Sequence, residues 1–224
     1  MRADVFIGAL ATSMAASPAL AGPAGWVAAN EQAVDLHVGV DASVLTTDVG
    51  YRVAMPKQST PIPLVVGLSA AMPVFVGPAD HRLVPEVATR FDLGGTWRAT
   101  LALQPITWTR AINDVHRLAS LGSGLDLGVG HMGEKWAVLG TAGIDWAWST
   151  HIRHEDLYRE LVYADVQDGW YRNTGANLAL GVSTTRRTKP VDVHLDIAMV
   201  RTLGFDRLLF VPGAQATVGV TRRW

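Results

Sequence analysis

The chain has 224 residues, no cysteine, and 19 lysine and arginine residues against 20 aspartate and glutamate residues, for a formal net charge of −1. The lack of cysteine excludes disulfides, thiolate nucleophiles and zinc sites with cysteine ligands, and the balanced charge gives no electrostatic support for a nucleic-acid partner. Charged residues make up only 17% of the chain, below the roughly 25% usual in soluble domains.

The first 21 residues have the pattern of a secretory signal peptide. Arg2 supplies the positive charge, residues 5–16 form a short apolar stretch, and Ala19-Leu20-Ala21 has the small-x-small form of a cleavage site. We therefore expect an exported protein whose residues 22–224 form a single domain.

Apolar and polar residues alternate with a period of two through the rest of the chain. In residues 33–45, for example, Val34 and Leu36 share one face, whereas Asp35 and His37 share the other. Such alternation predicts β-strands, and its repetition predicts an all-β, antiparallel up-and-down barrel of about ten strands, within a range of eight to twelve. The predicted strands lie at about 33–45, 49–55, 62–75, 84–93, 96–108, 118–130, 135–149, 175–186, 191–203 and 208–224.

Two features favour a barrel whose apolar faces point outward to lipid. In residues 118–130 the polar face consists of glycines and Asp126, which suits a narrow lumen better than a solvated exterior. Tryptophans lie near strand ends, where membrane barrels carry aromatic girdles. The predicted girdle residues are Trp97, Trp136, Trp146, Trp148 and Trp224.

The last segment, residues 213–224, is an alternating strand that ends in Trp224. With a signal peptide at the other end of the chain, it resembles the small outer-membrane β-barrels of Gram-negative bacteria. The resemblance implies a place in the outer membrane, contact with outer-membrane lipid and lipopolysaccharide, and recognition of the C-terminal strand by the barrel-assembly machinery. Arg222 departs from the family pattern, which usually has an apolar residue two positions before the end.

Most connection lengths agree with this topology, although 46–48 is short for an outer loop and 56–61 is long for a periplasmic turn. If both termini are periplasmic, as the resemblance implies, the short connections 93–95, 131–134 and 187–190 lie on the periplasmic side. The longer connections 76–83, 110–117 and 150–174 then lie outside the cell, and 150–174 is the longest of them.

The polar faces of the predicted strands place many charged residues in the lumen. Buried charges must be paired or hydrated, so we expect a salt-bridged polar plug or, alternatively, a narrow channel for small solutes. The predicted network contains Asp35, His37, Arg52, Arg90, Arg98, Asp126, Asp145, Asp192, His194 and Asp196.

Metal or cofactor binding is not expected. Asp192, His194 and Asp196 share one face of one strand, but alternate strand residues are about 6.5–7 Å apart, too far for all three to hold one ion.

The outer connection 150–174 offers two functional interpretations beside that of a lid packed on the barrel mouth. Tyr158, Tyr163, Trp170 and Tyr171 are candidate contacts for a ligand, lipopolysaccharide or another cell. Alternatively, the histidines, carboxylates and hydroxyls near the outer mouth could supply a general base and a nucleophile. The candidates for such a site are Ser149, His151, His154 and Glu155.

The sequence thus favours a non-enzymatic outer-membrane β-barrel, structural or weakly conducting, with a long outer loop as a contact surface. Two alternatives stay open. One is a soluble periplasmic barrel, similar to lipocalins, that binds an apolar ligand in a lumen lined by valine and leucine. The other is an outer-membrane lipid hydrolase or protease with its site at the outer rim.

Overall fold

The alternating sequence forms a chain made almost entirely of β-strands. The computed structural model describes residues 27–41, 44–56, 62–74, 80–112, 116–161, 164–188, 190–203 and 212–224; the expected signal peptide lies outside these ranges. Within them there are ten strands and one short helix. They are β1 (Gln32–Asp41), β2 (Val44–Ala54), β3 (Leu64–Pro73), β4 (His81–Gly94), β5 (Trp97–Ile112), β6 (His116–Met132), β7 (Trp136–His154), α1 (Asp156–Leu161), β8 (Gly169–Thr188), β9 (Val191–Leu203) and β10 (Pro212–Arg223).

The ten strands close into one antiparallel barrel with the order β1-β10-β9-β8-β7-β6-β5-β4-β3-β2. Strands that follow each other in sequence are neighbours, and the first strand pairs with the last, from Ala33 opposite Arg223 to Asp41 opposite Gln215. Closure removes the free sheet edges that would otherwise invite aggregation. The prediction of an up-and-down antiparallel barrel of about ten strands is confirmed.

The apolar faces point outward and the polar faces point inward. On β1, Val34 and Leu36 are exposed, whereas Asp35 and His37 are buried. The same alternation runs along β9, where Val193, Leu195, Ile197 and Met199 are exposed and Asp192, His194 and Asp196 are buried. The alternative of a soluble barrel with an apolar lumen is therefore wrong, because the valine and leucine faces form the outer wall.

The barrel has two different ends. The start of β1, the end of β10 and the connections β2–β3, β4–β5, β6–β7 and β8–β9 lie at one end, here called the terminal end. The other connections lie at the loop end. Strands β5 to β8 have 16, 17, 19 and 20 residues, whereas β1 to β3 have 10, 11 and 10. Because the turns at the terminal end of β5–β8 are short, the extra length of these strands lies at the loop end. The wall formed by β5–β8 therefore extends further there than the wall formed by β1–β3.

The outer connection is shorter than the sequence predicted. Instead of 150–174, it spans only 155–168, because β7 continues to His154 and β8 begins at Gly169. A register shift between Ala147 and Ser149 interrupts the pairing of β7 with β8. Such a bulge changes which residues share a face, so the alternation on which the prediction rested was broken there although the ladder continues.

Small apolar clusters lie inside the barrel toward each end. Val27, before β1, packs with Ala33, Ala54 and Val65 on the terminal side. At the loop end, Tyr158 of α1 and Val166 pack on a second cluster, which also contains Ala111, Leu118 and Ile152. No helix among the described residues has the length and apolar character needed to span a membrane.

Candidate functional site

The middle of the lumen holds one arginine between two carboxylates. Arg52 Nε lies 3.2 Å from Asp35 Oδ2 and 3.8 Å from Glu86 Oε1. Gly67 lies between Arg52 and Glu86 in the strand register, and a Cβ there would be only 3.1 Å from Arg52 Cγ. The glycine therefore leaves the space through which the ion pair forms across β3.

Two histidines stack beside this group. The ring centroids of His37 and His194 are 5.7 Å apart, and the ring planes differ by 10°. Gly219 of β10 lies between them in the register, and a Cβ on Gly219 would be 2.6 Å from His37 Nδ1. The stack thus depends on an unsubstituted position in the strand that separates the two histidines.

A chain of hydrogen bonds connects this stack to the central carboxylate. The Thr221 hydroxyl donates to Asp35 Oδ1, so its oxygen accepts from His194 Nε2, 2.6 Å away. The Thr185 hydroxyl lies 2.9 Å from His194 Nδ1 and donates to it when the ring is neutral with its proton on Nε2. Both ring nitrogens of His194 are therefore satisfied without a charge.

A second polar group fills the side of the lumen formed by β4 to β7. Arg82 Nη2 lies 2.8 Å from Asp145 Oδ2 and donates to Gln104 Oε1 at 3.4 Å. Gln104 Nε2 donates in turn to Asp126 Oδ2 at 2.8 Å. All four side chains are buried, so the two carboxylates share one arginine and one amide.

Other charges predicted for the lumen lie near the terminal end. Arg223 pairs with Asp192 at 2.9 Å and approaches Glu31 at 3.7 Å. Arg98 pairs with Asp92 at 2.7 Å and also donates to the carbonyl oxygens of the β4–β5 turn. The Asp92 side chain is 71% exposed, so this pair belongs to the rim. Arg90 is half-buried on β4.

The central group borders a polar cavity of about 50 Å³, with room for roughly three to five water molecules. It extends from Asp35, Arg52 and Glu86 toward the loop end of β1, β2 and β10. Its other polar lining residues are His37, Thr46, Asp48, Ser69, Asp196, Gln215 and Thr217. No group of three or more histidines and carboxylates in the described ranges is placed to hold a metal ion.

At the loop end, the segment that contains α1 packs on the inner face of β5 to β7 and is fastened at one aspartate. Asp168 Oδ1 accepts from the backbone N–H of His154 at 2.9 Å, lies 2.9 Å from His154 Nδ1, and pairs with Arg159 Nη2 at 2.8 Å. These hydrogen bonds, led by that from the His154 backbone N–H, hold the pKa of the Asp168 carboxyl below its usual value. We call this group the loop latch. The latch attaches the segment containing α1 to the end of β7.

The candidates for a rim active site do not converge. His154 is buried on the inner face of β7, whereas His151 packs edge-on against the exposed ring of Trp170. Ser149 shares the face of His151, and Glu155 pairs with Arg117 at 2.5 Å. Within the described ranges, the side-chain partners of His151, His154 and Glu155 are thus Trp170, Asp168 and Arg117, and none of these contacts joins two of the predicted residues.

The predicted contact residues of the loop differ in accessibility. Tyr158 is 4% exposed and its ring packs against His154. The expectation that Tyr158 faces outward is therefore wrong, because its side chain belongs to the apolar cluster at the loop end. Trp170 and Tyr171 are exposed, and the Tyr171 hydroxyl donates to the Gln167 carbonyl. Tyr163 lies outside the described residues.

The predicted girdle tryptophans are all exposed on the outer wall. Trp97, Trp136 and Trp224 lie at the terminal end, and Trp146 and Trp148 lie toward the loop end of β7. Trp108 of β5, which the sequence analysis did not select, is 49% exposed and stands nearer the loop end. It completes a second group of aromatic residues above the first.

Three polar residues of the lumen were missed. Arg82 and Asp48 were assigned to connections, since the predicted β4 and β2 began too late in the chain. Gln104 shares the inward face of the predicted strand 96–108 but carries no charge, so a search for charges passed over it. Only its position among the inward-facing residues of the alternating strand could have indicated it.

Comparison with known proteins gives similarity in structure only. The outer membrane protease OmpT from Escherichia coli superposes with a TM-score of 0.49 at 9% identity, covering 87% of this chain and 97% of that one. The translocator domain of the autotransporter NalP from Neisseria meningitidis has a TM-score of 0.40 at 10% identity, with 100% of both chains covered. The N-terminal β-barrel domain of Pseudomonas aeruginosa OprF has a TM-score of 0.31 at 9% identity, covering 88% of this chain and 98% of that one. No protein-family model and no curated protein match the chain.

Proposed function

We propose that the protein is an integral outer-membrane β-barrel that acts as a closed or narrowly conducting structural barrel, exported by its first 21 residues. The observation that carries this proposal is the apolar outer wall between two levels of exposed tryptophan. A water-soluble barrel would have no reason to expose Leu180 and Met199, each 67% accessible, across a continuous surface.

The spacing of the tryptophans agrees with the thickness of a bilayer. Trp97 and Trp108 are eleven residues apart on β5, and Trp136 and Trp146 are ten residues apart on β7. With a rise of about 3.3 Å per residue and a strand tilt of about 40°, these spacings correspond to roughly 25–28 Å along the barrel axis. The apolar band of outer-membrane barrels is about 25 Å tall.

The packing of the lumen supports a closed or narrow interior instead of a wide pore. The Arg82 group occupies one side, the Arg52 group and the histidine stack occupy the other, and Tyr158 of α1 packs on the inner face of β5 to β7 near the loop end. The cavity beside Arg52 has room for only a few water molecules. We therefore propose that any conduction is limited to small ions.

The first experiment compares boiled and unboiled protein by gel electrophoresis after membrane fractionation. A closed membrane barrel is expected to resist SDS until heated, to change its mobility on boiling, and to remain in the outer-membrane fraction after washing with carbonate. Protein recovered from the soluble periplasmic extract would contradict the proposal. In planar bilayers, we expect silence or small steps; large, voltage-independent steps would contradict the narrow interior.

Two partner proposals follow for the outer surfaces. The exposed rings of Trp170 and Tyr171 suit contact with lipopolysaccharide, since aromatic residues are enriched at such interfaces, and strand β10 is the proposed substrate of the barrel-assembly machinery. Replacing both aromatic residues with alanine is expected to weaken retention of lipopolysaccharide by the purified barrel. Unchanged retention would contradict the first of these roles.

A further inference from the structure

The outer wall carries an arginine near the loop end of each of the four strands β5 to β8. All four side chains are exposed, and we call this group the arginine patch. It consists of Arg110, Arg117, Arg153 and Arg172. On β5 to β7, the residue next to each arginine belongs to the apolar cluster inside the barrel. Because successive side chains of a strand point to opposite faces, these arginines point outward.

The strand register brings the arginines close together. Arg117 of β6 and Arg153 of β7 are directly opposite each other, where Cβ atoms are typically about 4.5–5.5 Å apart. Arg110 of β5 is a diagonal neighbour of Arg117. Arg172 of β8 is opposite Ser149, which lies four residues along β7 from Arg153. Like charges directly opposite each other destabilise a sheet, so the patch needs compensation by negative charge.

The described residues supply only part of this compensation. Glu155 pairs with Arg117 at 2.5 Å. Arg110, Arg153 and Arg172 form no ion pair with any residue in the described ranges. The patch thus combines four guanidinium groups with one paired carboxylate and has a local excess of positive charge.

The arginine patch lies at and beyond the level of the upper tryptophans. Trp108 and Arg172 belong to one register row that crosses β5 to β8. Toward the loop end, Arg110 lies two residues beyond this row, and Arg117 and Arg153 lie four residues beyond it. At about 3.3 Å per residue and a tilt of about 40°, these offsets correspond to roughly 5 and 10 Å along the barrel axis. Since the polar region on each side of a bilayer is about 5–8 Å thick, the guanidinium groups lie among the lipid headgroups.

The composition and width of the patch indicate which headgroup fits it. Its members are all arginine, whose planar guanidinium binds phosphate through two parallel hydrogen bonds. From β5 to β8 the patch spans three strand spacings, about 14 Å, which is wide enough for more than one phosphate group. A lipid with phosphates set apart on a sugar headgroup therefore fits better than a phospholipid with a single phosphodiester.

We propose that the arginine patch binds the phosphate groups of lipid A, the phosphorylated disaccharide anchor of lipopolysaccharide, on the outer face of β5 to β8. The arginines supply the compensating charge themselves, so the binding needs no divalent cation. This inference deepens the proposed function and rests on it, because the loop end of the wall must lie in the outer leaflet.

The experiment uses native mass spectrometry to measure binding of bisphosphorylated lipid A to the folded, detergent-purified barrel in the presence of EDTA. The unaltered chain is expected to retain the lipid, and the double variant R110Q/R153Q is expected to bind it about tenfold more weakly or worse. Arg117 is kept so that Glu155 retains its partner. The matched control is R186Q/R222Q, which removes two exposed arginines at the terminal end and is expected to bind lipid A normally.

A second arm compares lipid A with the same lipid after removal of both phosphates, on the unaltered chain. We expect the dephosphorylated lipid to bind at least about tenfold more weakly. This arm decides the question if R110Q/R153Q does not fold. Equal binding of the two lipids, loss of binding in EDTA, or equal losses in the two double variants would overturn the proposal. Phosphatidylglycerol that competes as well as lipid A would overturn it too.

The mobility of boiled and unboiled samples reports the closed barrel separately. A barrel that shifts on boiling but binds lipid A without regard to its phosphates contradicts the lipid site alone. Protein that shows no shift contradicts the proposed function itself.

Discussion

At the scale of single residues, several of the buried charges in the lumen are paired with a specific neighbour. Glycines often provide the space: Gly67 lets Glu86 reach Arg52, and Gly219 accommodates the ring of His37. Asp145 is paired with Arg82, and Asp126 accepts a hydrogen bond from Gln104. Removal of one partner should therefore cost more than the pair itself contributes.

Arg82→Ala tests this dependence. It leaves Asp145 buried without its cation, so we expect a loss of about 3–5 kcal/mol in the free energy of unfolding, measured by reversible urea unfolding in lipid vesicles. Arg110→Ala is the matched control, because Arg110 is exposed on the same pair of strands, β4 and β5, and its loss should change stability by no more than about 0.5 kcal/mol. Equal effects of the two substitutions would show that the buried pair is not needed.

At the scale of elements, the connection between β7 and β8 is held in place by one carboxylate. The pKa of Asp168 is lowered mainly by the hydrogen bond from the His154 backbone N–H. A carboxyl whose pKa is lower in the folded state contributes stability above its unfolded pKa of about 3.9, and this contribution is lost as the pH falls through the folded pKa. The loop latch should accordingly hold at neutral pH and open in acid.

Because the chain has no cysteine, a single spin label at Asp165→Cys can report the mobility of this segment. We expect an immobile spectrum from pH 8 down to about pH 4 and a mobile one only at lower pH, because the folded pKa of Asp168 lies below its unfolded value of about 3.9. Asp168→Asn should give the mobile spectrum at every pH, whereas Glu160→Gln, an exposed change on α1, should not. A spectrum that is independent of both pH and Asp168 would contradict the latch.

At the scale of the whole molecule, we expect the effect of a charged residue on the outer wall to depend on its depth in the bilayer. Ile197 and Leu93 are exposed to nearly the same extent, 55% and 57%, but Ile197 lies in the middle of β9 and Leu93 lies beside a turn at the terminal end. In water, arginine at either position would be similarly tolerated. In a bilayer, arginine at position 197 lies in the hydrocarbon region and destabilises the barrel more than arginine at position 93, which lies near the interface.

We expect Ile197→Arg to destabilise the barrel by about 2–4 kcal/mol in vesicles and Leu93→Arg by about 0–1 kcal/mol. The measurement is the free energy of unfolding in urea for both variants under the same lipid conditions. Equal values would place both residues in the same medium and would contradict a bilayer around the wall.

The sequence predicted the global architecture better than the local partners. A period of two assigns faces directly, which is why Val34 and Asp35 could be placed outside and inside the wall. It fails at bulges: the irregularity near Ala147 hid the continuation of β7 to His154. The latch between His154 and Asp168 depends on the path of the loop in space, which periodicity does not encode.

The pairing of β1 with β10 also sets the order of folding. The hydrogen bond from Thr221 to Asp35 joins residues 186 positions apart, so the seam forms only after the last strand has been synthesised and delivered. Contacts over such distances are slow to form, and until then β1 and the growing end both present unpaired edges. Until the seam closes, these unpaired edges invite pairing with other chains. The assembly of the chain ends with the step that joins its first strand to its last.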